Sequence, residues 1–345
     1  MSYSNINKSS DFFKAVLHNG NGGTQSITGI GHQPDMVWIK RRNGARNHQL
    51  QDVVRGITKQ LVPNETDAEA TNTEKVKSIQ SDGFTLGTNQ DVNASGDTFV
   101  SWNWKANGAG STNYDGSITS TVSAGITQGM SIVKYTGNQT NGATVGHGLG
   151  AVPKMIIIKN LNDAEHWTVY HNKLSPGHQL YLNLTNAQND DASEYYDTTP
   201  TSSVFTLGNS DRTNNVNIPY IAYCFAENAS KLFKIGSYVG NGSNDGSFIY
   251  TGGKPVWVII KRIDSADSWV IIDNKRVGYN GANNVFEANL SNAEDSGAGD
   301  RQDILSNGFK LRSSWTKINA SGGTYIYMAI NQPIVGQNNV PCTAR

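Results

Sequence analysis

Pro34-Asp35-Met36-Val37-Trp38-Ile39-Lys40, Pro153-Lys154-Met155-Ile156-Ile157-Ile158-Lys159 and Pro255-Val256-Trp257-Val258-Ile259-Ile260-Lys261 are one pattern written three times. Each is a proline, an apolar run, and a lysine six residues on. Eight residues after the lysines stand His48, Trp167 and Trp269; twelve after them stand Asp52, His171 and Asp273. Agreement without gaps over that distance marks an internal repeat. A near-continuous apolar run suits a central strand buried on both faces, and a leading proline suits a strand's first position, where no ladder donor is needed.

The likeness extends outward. Gly83-Phe84-Thr85-Leu86, Val204-Phe205-Thr206-Leu207 and Gly308-Phe309-Lys310-Leu311 follow in order. Each copy then closes on an aromatic strand: Phe99-Val100-Ser101-Trp102, Tyr220-Ile221-Ala222-Tyr223 and Tyr325-Ile326-Tyr327-Met328. Each copy is long enough to bury its own core, so three tandem domains are expected and not a solenoid. β-Branched and aromatic runs bounded by Gly, Asn and Asp predict an all-β chain of three antiparallel β-sandwich-like modules. The expected division is an N-terminal tail 1–10, module one 11–108, a polar Gly/Ser/Thr linker 109–128, module two 129–230, module three 231–334 and a C-terminal tail 335–345. Trp38, Ile157 and Ile259 should occupy equivalent places on central strands. One short helix per copy is expected near 67–75, 186–193 and 292–295. The two tails lie outside the repeated cores, and at least one is expected to be held by another chain.

Composition narrows the function. The 345 residues carry 28 Lys+Arg against 28 Asp+Glu, with a pI near 7.1. Nucleic acid is therefore not an expected partner, because duplex binding needs a concentrated basic face. No apolar run approaches the roughly 20 residues of a membrane span, and no signal peptide is read at the N-terminus. Gly (36) and Asn (39) together favour turns over long helices. Cys224 and Cys342, one in an apolar run and one in the tail, do not suggest a disulfide framework.

Few residues point to chemistry. There is no nucleophile elbow, and the seven His lack metal-ligand spacing. No cofactor, metal ligand or catalytic residue is assigned, and the chain is read as not an enzyme. Asp190-Asp191 and the acidic residues from Asp295 to Asp300 could offer calcium oxygen ligands, but a solvated loop is the preferred reading. Asp52 and Arg55 share a three-residue spacing with Asp273 and Arg276, whereas copy two has His171 and Leu174. A structural ion pair tolerates that replacement better than a catalytic pair would. Lys40, Lys159 and Lys261 are candidate ligand-reaching cations. The candidate ligand or partner contacts are Tyr195, Tyr196, Trp102, Trp104, Arg41, Arg42 and Arg262. Trp102 and Trp104 share one strand face and could stack on a sugar, although the alignment of Trp102 with Tyr223 and Met328 favours a core role; Tyr195-Tyr196 is the better exposed pair.

Ser81-Asp82-Gly83-Phe84-Thr85-Leu86-Gly87, Ser101-Trp102-Asn103-Trp104-Lys105-Ala106-Asn107-Gly108, Val145-Gly146-His147-Gly148-Leu149-Gly150 and Asn319-Ala320-Ser321-Gly322-Gly323-Thr324-Tyr325 resemble a family of tailed-bacteriophage virion proteins common in marine and cyanobacterial phages. The closing Asn338-Asn339-Val340-Pro341-Cys342-Thr343-Ala344-Arg345 is similar to that family's C-terminus. The resemblance implies a virion location and a tail-fibre or structural role, and it supplies no catalytic residues. It implies as partners other virion proteins of capsid or tail, further copies of the chain in a homo-oligomer, and a host surface glycan or protein. Three functions are weighed on that basis. They are a tail fibre or spike for host recognition, a capsid decoration or protrusion protein, and, with least support, a glycan depolymerase.

Overall fold

The computed structural model describes residues 4–336 apart from 176, 277–279, 281–282, 297–298 and 300. Cys342 and residues 337–345 of the C-terminal tail lie outside the described residues, as does part of the acidic stretch before Arg301.

The chain is all-β. In its first stretch the strands are β1 (Phe13–Asn19), β2 (Gln25–Thr28), β3 (Met36–Arg41), β4 (Gln49–Asp52), β5 (Lys59–Leu61), β6 (Ala70–Thr71), β7 (Val76–Gln80), β8 (Gly83–Leu86) and β9 (Thr98–Trp104). They form a large sheet β1-β9-β3-β4-β5-β6 and a small sheet β2-β8-β7. The second stretch adds β10 (Ser111–Asn113), β11 (Ser120–Gly125), β12 (Met130–Thr136), β13 (Ala143–Gly146), β14 (Pro153–Asn160), β15 (Thr168–His171), β16 (His178–Tyr181), β17 (Asn189–Asp190), β18 (Val204–Leu207) and β19 (Pro219–Ala226). Its large sheet runs β10-β11-β12-β19-β14-β15-β16-β17, and its small sheet is β13-β18 alone. The third has β20 (Phe233–Val239), β21 (Phe248–Tyr250), β22 (Gly253–Arg262), β23 (Val270–Asp273), β24 (Phe286–Glu287), β25 (Gln302–Leu305), β26 (Gly308–Leu311) and β27 (Thr324–Pro333), in sheets β20-β27-β22-β23-β24 and β21-β26-β25.

The Pro-led strand lies beside the closing aromatic strand in all three. Trp38 pairs with Trp102, Ile157 with Tyr223 and Ile259 with Met328. Pro153 and Pro255 each sit at a register shift in this pairing, where a missing donor is tolerated. Side chains alternate between two cores. Val37 and Ile39 face the first sandwich interior, Ile156 and Ile158 the second, and Val258 and Ile260 the third. Met36 and Trp38, Met155 and Ile157, and Trp257 and Ile259 face one common core shared by all three large sheets. The three sandwiches therefore do not stand apart as independent domains.

Their contacts run in cyclic order. His48 Nε2 meets Glu287 O at 3.2 Å, Trp167 Nε1 donates to Val62 O at 3.2 Å, and Trp269 Nε1 donates to Tyr181 O at 2.9 Å. These are the residues eight places after each lysine, and the bonds run from stretch one to three, two to one and three to two. Backbone bonds at each junction complete the closed ring of three: Glu294 N to Arg42 O, Glu69 N to Leu161 O and Gln188 N to Ile263 O.

Several expectations need correction. The stretch 109–128 is not a linker: β10 and β11 extend the second large sheet through β12, and Ile118 bridges Val145 in parallel with its side chain buried. Two apolar anchors, Ile118 and Val122, suffice to dock an otherwise polar segment. The helices are single turns at α1 (Gln90–Asn93), α2 (Ala192–Tyr195) and α3 (Thr316–Asn319). Only α2 touches an expected position. The acidic and amide stretches near 69, 188 and 294 instead give their backbone N–H groups to the ring junctions. Residues 4–10 of the N-terminal tail pack on their own chain. Ser9 N and Oγ donate to Gln332 Oε1 at 2.9 and 3.0 Å, Ser4 Oγ donates to Ser230 O at 2.5 Å, and Ile6 joins the common core.

Candidate functional site

The buried polar groups at the ring junctions are structural. Asp52 and Arg55 pair at 2.6 Å, and Asp273 and Arg276 at 2.7 Å, with all four side chains fully buried. Tyr223 OH donates to Asp52 Oδ2 at 2.8 Å, and Trp102 Nε1 donates to Asp273 Oδ2 at 2.9 Å. Met328, the third residue of that alignment, has no donor, and the second stretch has His171 and Leu174 in place of the pair, with His171 Nε2 3.4 Å from Tyr327 O of the third. The carboxylate is thus kept where the neighbouring stretch supplies a donor. The three lysines are buried as well, so they cannot reach a ligand. Lys40 Nζ donates to Arg41 O and Ser291 O at 3.0 and 3.2 Å, Lys159 Nζ to Asn160 O and Asp163 O at 2.7 and 3.2 Å, and Lys261 Nζ to Arg262 O and Thr185 O at 2.5 and 3.1 Å. Burial pushes them down, Lys40 to about 7 and Lys159 and Lys261 to about 8.

Most candidate contact residues are engaged internally. Trp102 and Trp104 are 0% and 2% exposed, in the common core beside Trp257. Tyr195 is buried, and its OH donates to Thr168 O at 3.3 Å. Arg41 pairs with Asp97 at 2.6 Å, Arg42 with Glu294 at 2.7 Å across a ring junction, and Arg262 with Asp264 at 3.0 Å. Tyr196 alone of the aromatic candidates is exposed, at 45%.

Tyr196 marks the place where the second stretch departs from the other two. Where they carry β7 and β25, it has α2 and an irregular segment, 196–203, so its small sheet has two strands. Asp191 caps α2 by accepting from Ser193 N. Tyr196 and Asp197 then turn the chain at φ of 50° and 47°, a left-handed conformation that costs side-chain-bearing residues of order 1–3 kcal/mol. The missing strand opens a cavity of about 190 Å³ lined by Tyr170, Asn172, His178, Asp197, Thr198 and Thr199 among others. Its floor includes Gly177, at φ 74°; a Cβ there would lie 2.4 Å from Asp197 Oδ1 and 3.0 Å from Asp190 Oδ1. β16 and β17 set this geometry, pairing His178 with Asp190. A second hollow, lined by Asn141, Ser193, Tyr196 and Asn209, shares Asp197 with the first.

Glu194, next in sequence to the lining residue Tyr195, is buried. Burial pushes its carboxyl up to about 7 although Arg212 Nη1 donates to it at 3.0 Å. Burial likewise pushes His171 down to about 4 and the Cys224 thiol up to about 12, so neither supplies a reactive ionised group at neutral pH. Among the described residues no three His, Cys, Asp or Glu side chains gather as a metal site.

A profile of the family described as a domain of unknown function, DUF7483, matches residues 8–333. The chain belongs to that family. The matched region takes in all three sandwiches and the common core, so the family's unit is the whole ring and not one sandwich. No curated protein matches the sequence.

Sequence reading missed the cavity. Asp197 and His178 carry no motif, and their convergence depends on a strand that fails to form. The one available signal was local: copy two lacks the Asn-Ala-Ser-Gly turn of copies one and three and bears Tyr195-Tyr196 in a polar segment. Phe248 and Tyr250, 45% and 59% exposed on β21, were also unforeseen. Their counterparts in register, Ser26 and Thr28 on β2, are polar.

Proposed function

We propose that this chain is a non-enzymatic surface appendage of a tailed-phage virion, of tail-fibre or spike type, that takes part in host-surface recognition. The observation that carries this reading is the closed ring. Three sandwiches spend the inner faces of their large sheets on one common core, and loops at the junctions tie them into one body. Such a body is suited to display, and the buried pairs Asp52/Arg55 and Asp273/Arg276 serve its junctions. Recognition sites on rigid scaffolds are characteristically built from such loops. The sequence resemblance to virion proteins supplies the particle. Antibodies against the purified chain, applied to virions of the phage that encodes it, should label the tail by electron microscopy and block adsorption to cells. Chain absent from purified particles would end this reading.

A second reading is favoured by the cyclic order of the junctions. A ring of three similar units fits a threefold position on an icosahedral shell, as a capsid decoration protein would. Labelling spread over the head, with adsorption unaffected, would select it.

A further inference from the structure

We propose that the free edge of β1, from Phe13 to Leu17, docks an extended, carboxylate-bearing strand of another protein chain, laid antiparallel to β1 as β11 is laid on β12. The three stretches share this strand: Ala15, Ile132 and Ile235 sit opposite Trp102, Tyr223 and Met328, the aligned residues of the closing aromatic strands. Each such strand has β9, β19 or β27 on one side, and its other edge is treated differently in each stretch. In the second, β11 covers it, with Ser123 opposite Ile132 and Thr121 opposite Lys134. In the third, Glu227 fills the place: its Oε1 accepts from Ile235 N at 2.8 Å, and its Oε2 lies 2.9 Å from Lys154 Nζ and 3.4 Å from Lys234 Nζ. In the first, no described residue does either. The bonds from Lys105 N to Phe12 O and from Gly20 N to Asp97 O fix the alternation, so Phe13, Ala15 and Leu17 turn their N–H and C=O groups away from β9. No group among the described residues accepts from the Ala15 or Leu17 amide. Instead a cavity of about 180 Å³ lies there, lined by Phe13, Lys14 and Ala15 and by Val256, Asn274 and Lys275 of the third stretch. Lys14 holds the place that Lys234 holds in β20, and neither Lys14 nor Lys275 is ion-paired among the described residues. An unpaired edge strand is a template for another strand. Main-chain bonds to it give affinity, and the flanking side chains set the choice of partner. The chain's own two solutions at the matching edges therefore describe the occupant: an extended backbone, as β11 supplies, and a carboxylate, as Glu227 supplies.

The identity of the donor chain rests on the appendage reading; the edge itself is tested on the isolated full chain. The probe is the acetylated, amidated peptide of residues 119–126 with its Ala124→Glu and Ala124→Lys forms. Ala124 stands opposite Ser131, whose place in β1 is held by Lys14. Bound peptide should slow amide exchange at Ala15 and Leu17 at least about tenfold, read by NMR. The Ala124→Glu form should bind about two- to fivefold tighter than the parent and the Ala124→Lys form weaker, the scale of one cross-strand charge pair. Lys14→Glu, which leaves the backbone alone, should reverse that order. Leu17→Pro, at an exposed position whose N–H faces outward, should fold and lose binding. Ser237→Pro, at the matching place of β20, should leave binding unchanged. No binding of any peptide at millimolar concentration, protection at Ile132 and not at Ala15, or an order indifferent to Lys14 overturns the proposal. So does a dimer of the full chain that Leu17→Pro splits, which would make a second copy's β1 the occupant. If virion labelling fails while the peptides still bind, the appendage reading falls and the docking edge stands.

Discussion

Replacing Asp273 with alanine tests how the ring is held. Asp273 and Arg276 are both fully buried, 2.7 Å apart, and Asp273 also accepts from Trp102 Nε1 of the neighbouring stretch and from Lys275 N. Burial alone would raise the Asp273 carboxyl; Arg276 and the Trp102 indole overcome it and hold it below the usual range. Removing one partner of a buried pair strands the other charge, at a cost of ~3–5 kcal/mol. The orphaned indole N–H adds ~1–3 kcal/mol. Arg276 keeps its bond to Ile271 O at 2.9 Å and its contact with Glu294 Oε2 at 3.8 Å, which limit the loss, so we expect about 4–6 kcal/mol in all. The chain itself supplies the control. At the matching positions of the second stretch stand His171 and Leu174, without an ion pair, and His171 Nε2 lies 3.4 Å from Tyr327 O. Arg276→Leu added to Asp273→Ala should therefore recover about 2 kcal/mol, because a buried apolar side chain replaces a cation left with only the 3.8 Å contact to Glu294 Oε2. Urea unfolding followed by tryptophan fluorescence gives both differences and the coupling energy. A cost below about 1 kcal/mol for the single variant, or no recovery in the double, would refute the reasoning.

Three further outcomes follow from the same geometry. The lysines titrate lower folded than unfolded, so the unfolded chain holds more protons between the two values, and stability should rise as pH climbs from about 7 towards 10; Lys40→Met/Lys159→Met/Lys261→Met should flatten that rise in urea midpoints. Glu194 titrates higher folded than unfolded, so its contribution is full below about 4.5 and lost as pH rises through about 7; Glu194→Gln should remove this loss, and an unchanged profile from pH 5 to 8 would count against it. Ile118→Ala, which empties a buried anchor of the 109–128 segment, should cost ~2–4 kcal/mol and speed amide exchange at Ile118 itself, whose N–H donates to Thr144 O at 2.9 Å.

The all-β architecture was legible because the Pro-led runs and closing aromatic strands repeat with their turns. The ring was not. An apolar run such as Ile156-Ile157-Ile158 says that both strand faces are buried, but not that one face meets its own small sheet and the other a foreign sandwich. The junction pairs were half legible: Asp52/Arg55 and Asp273/Arg276 could be read as structural, yet the reason for His171/Leu174 lies in Met328, distant in sequence. Segment 109–128 misled because an edge segment anchored by Ile118 and Val122 has the composition of a linker. Trp102 and Trp104 were readable either as platform or as core, and only the neighbouring stretch decides between them.

Fusing three similar sandwiches in one chain frees them from identity. Three separate copies of one sandwich would have to share any change, so a cavity gained by losing a strand would appear three times or not at all. Here the second sandwich gives up its third small-sheet strand while the other two keep theirs. The body that results carries the cavity over Gly177 once. Firm attachment through any feature carried once per body would depend on the number of bodies presented together and on their spacing, not on the affinity of one.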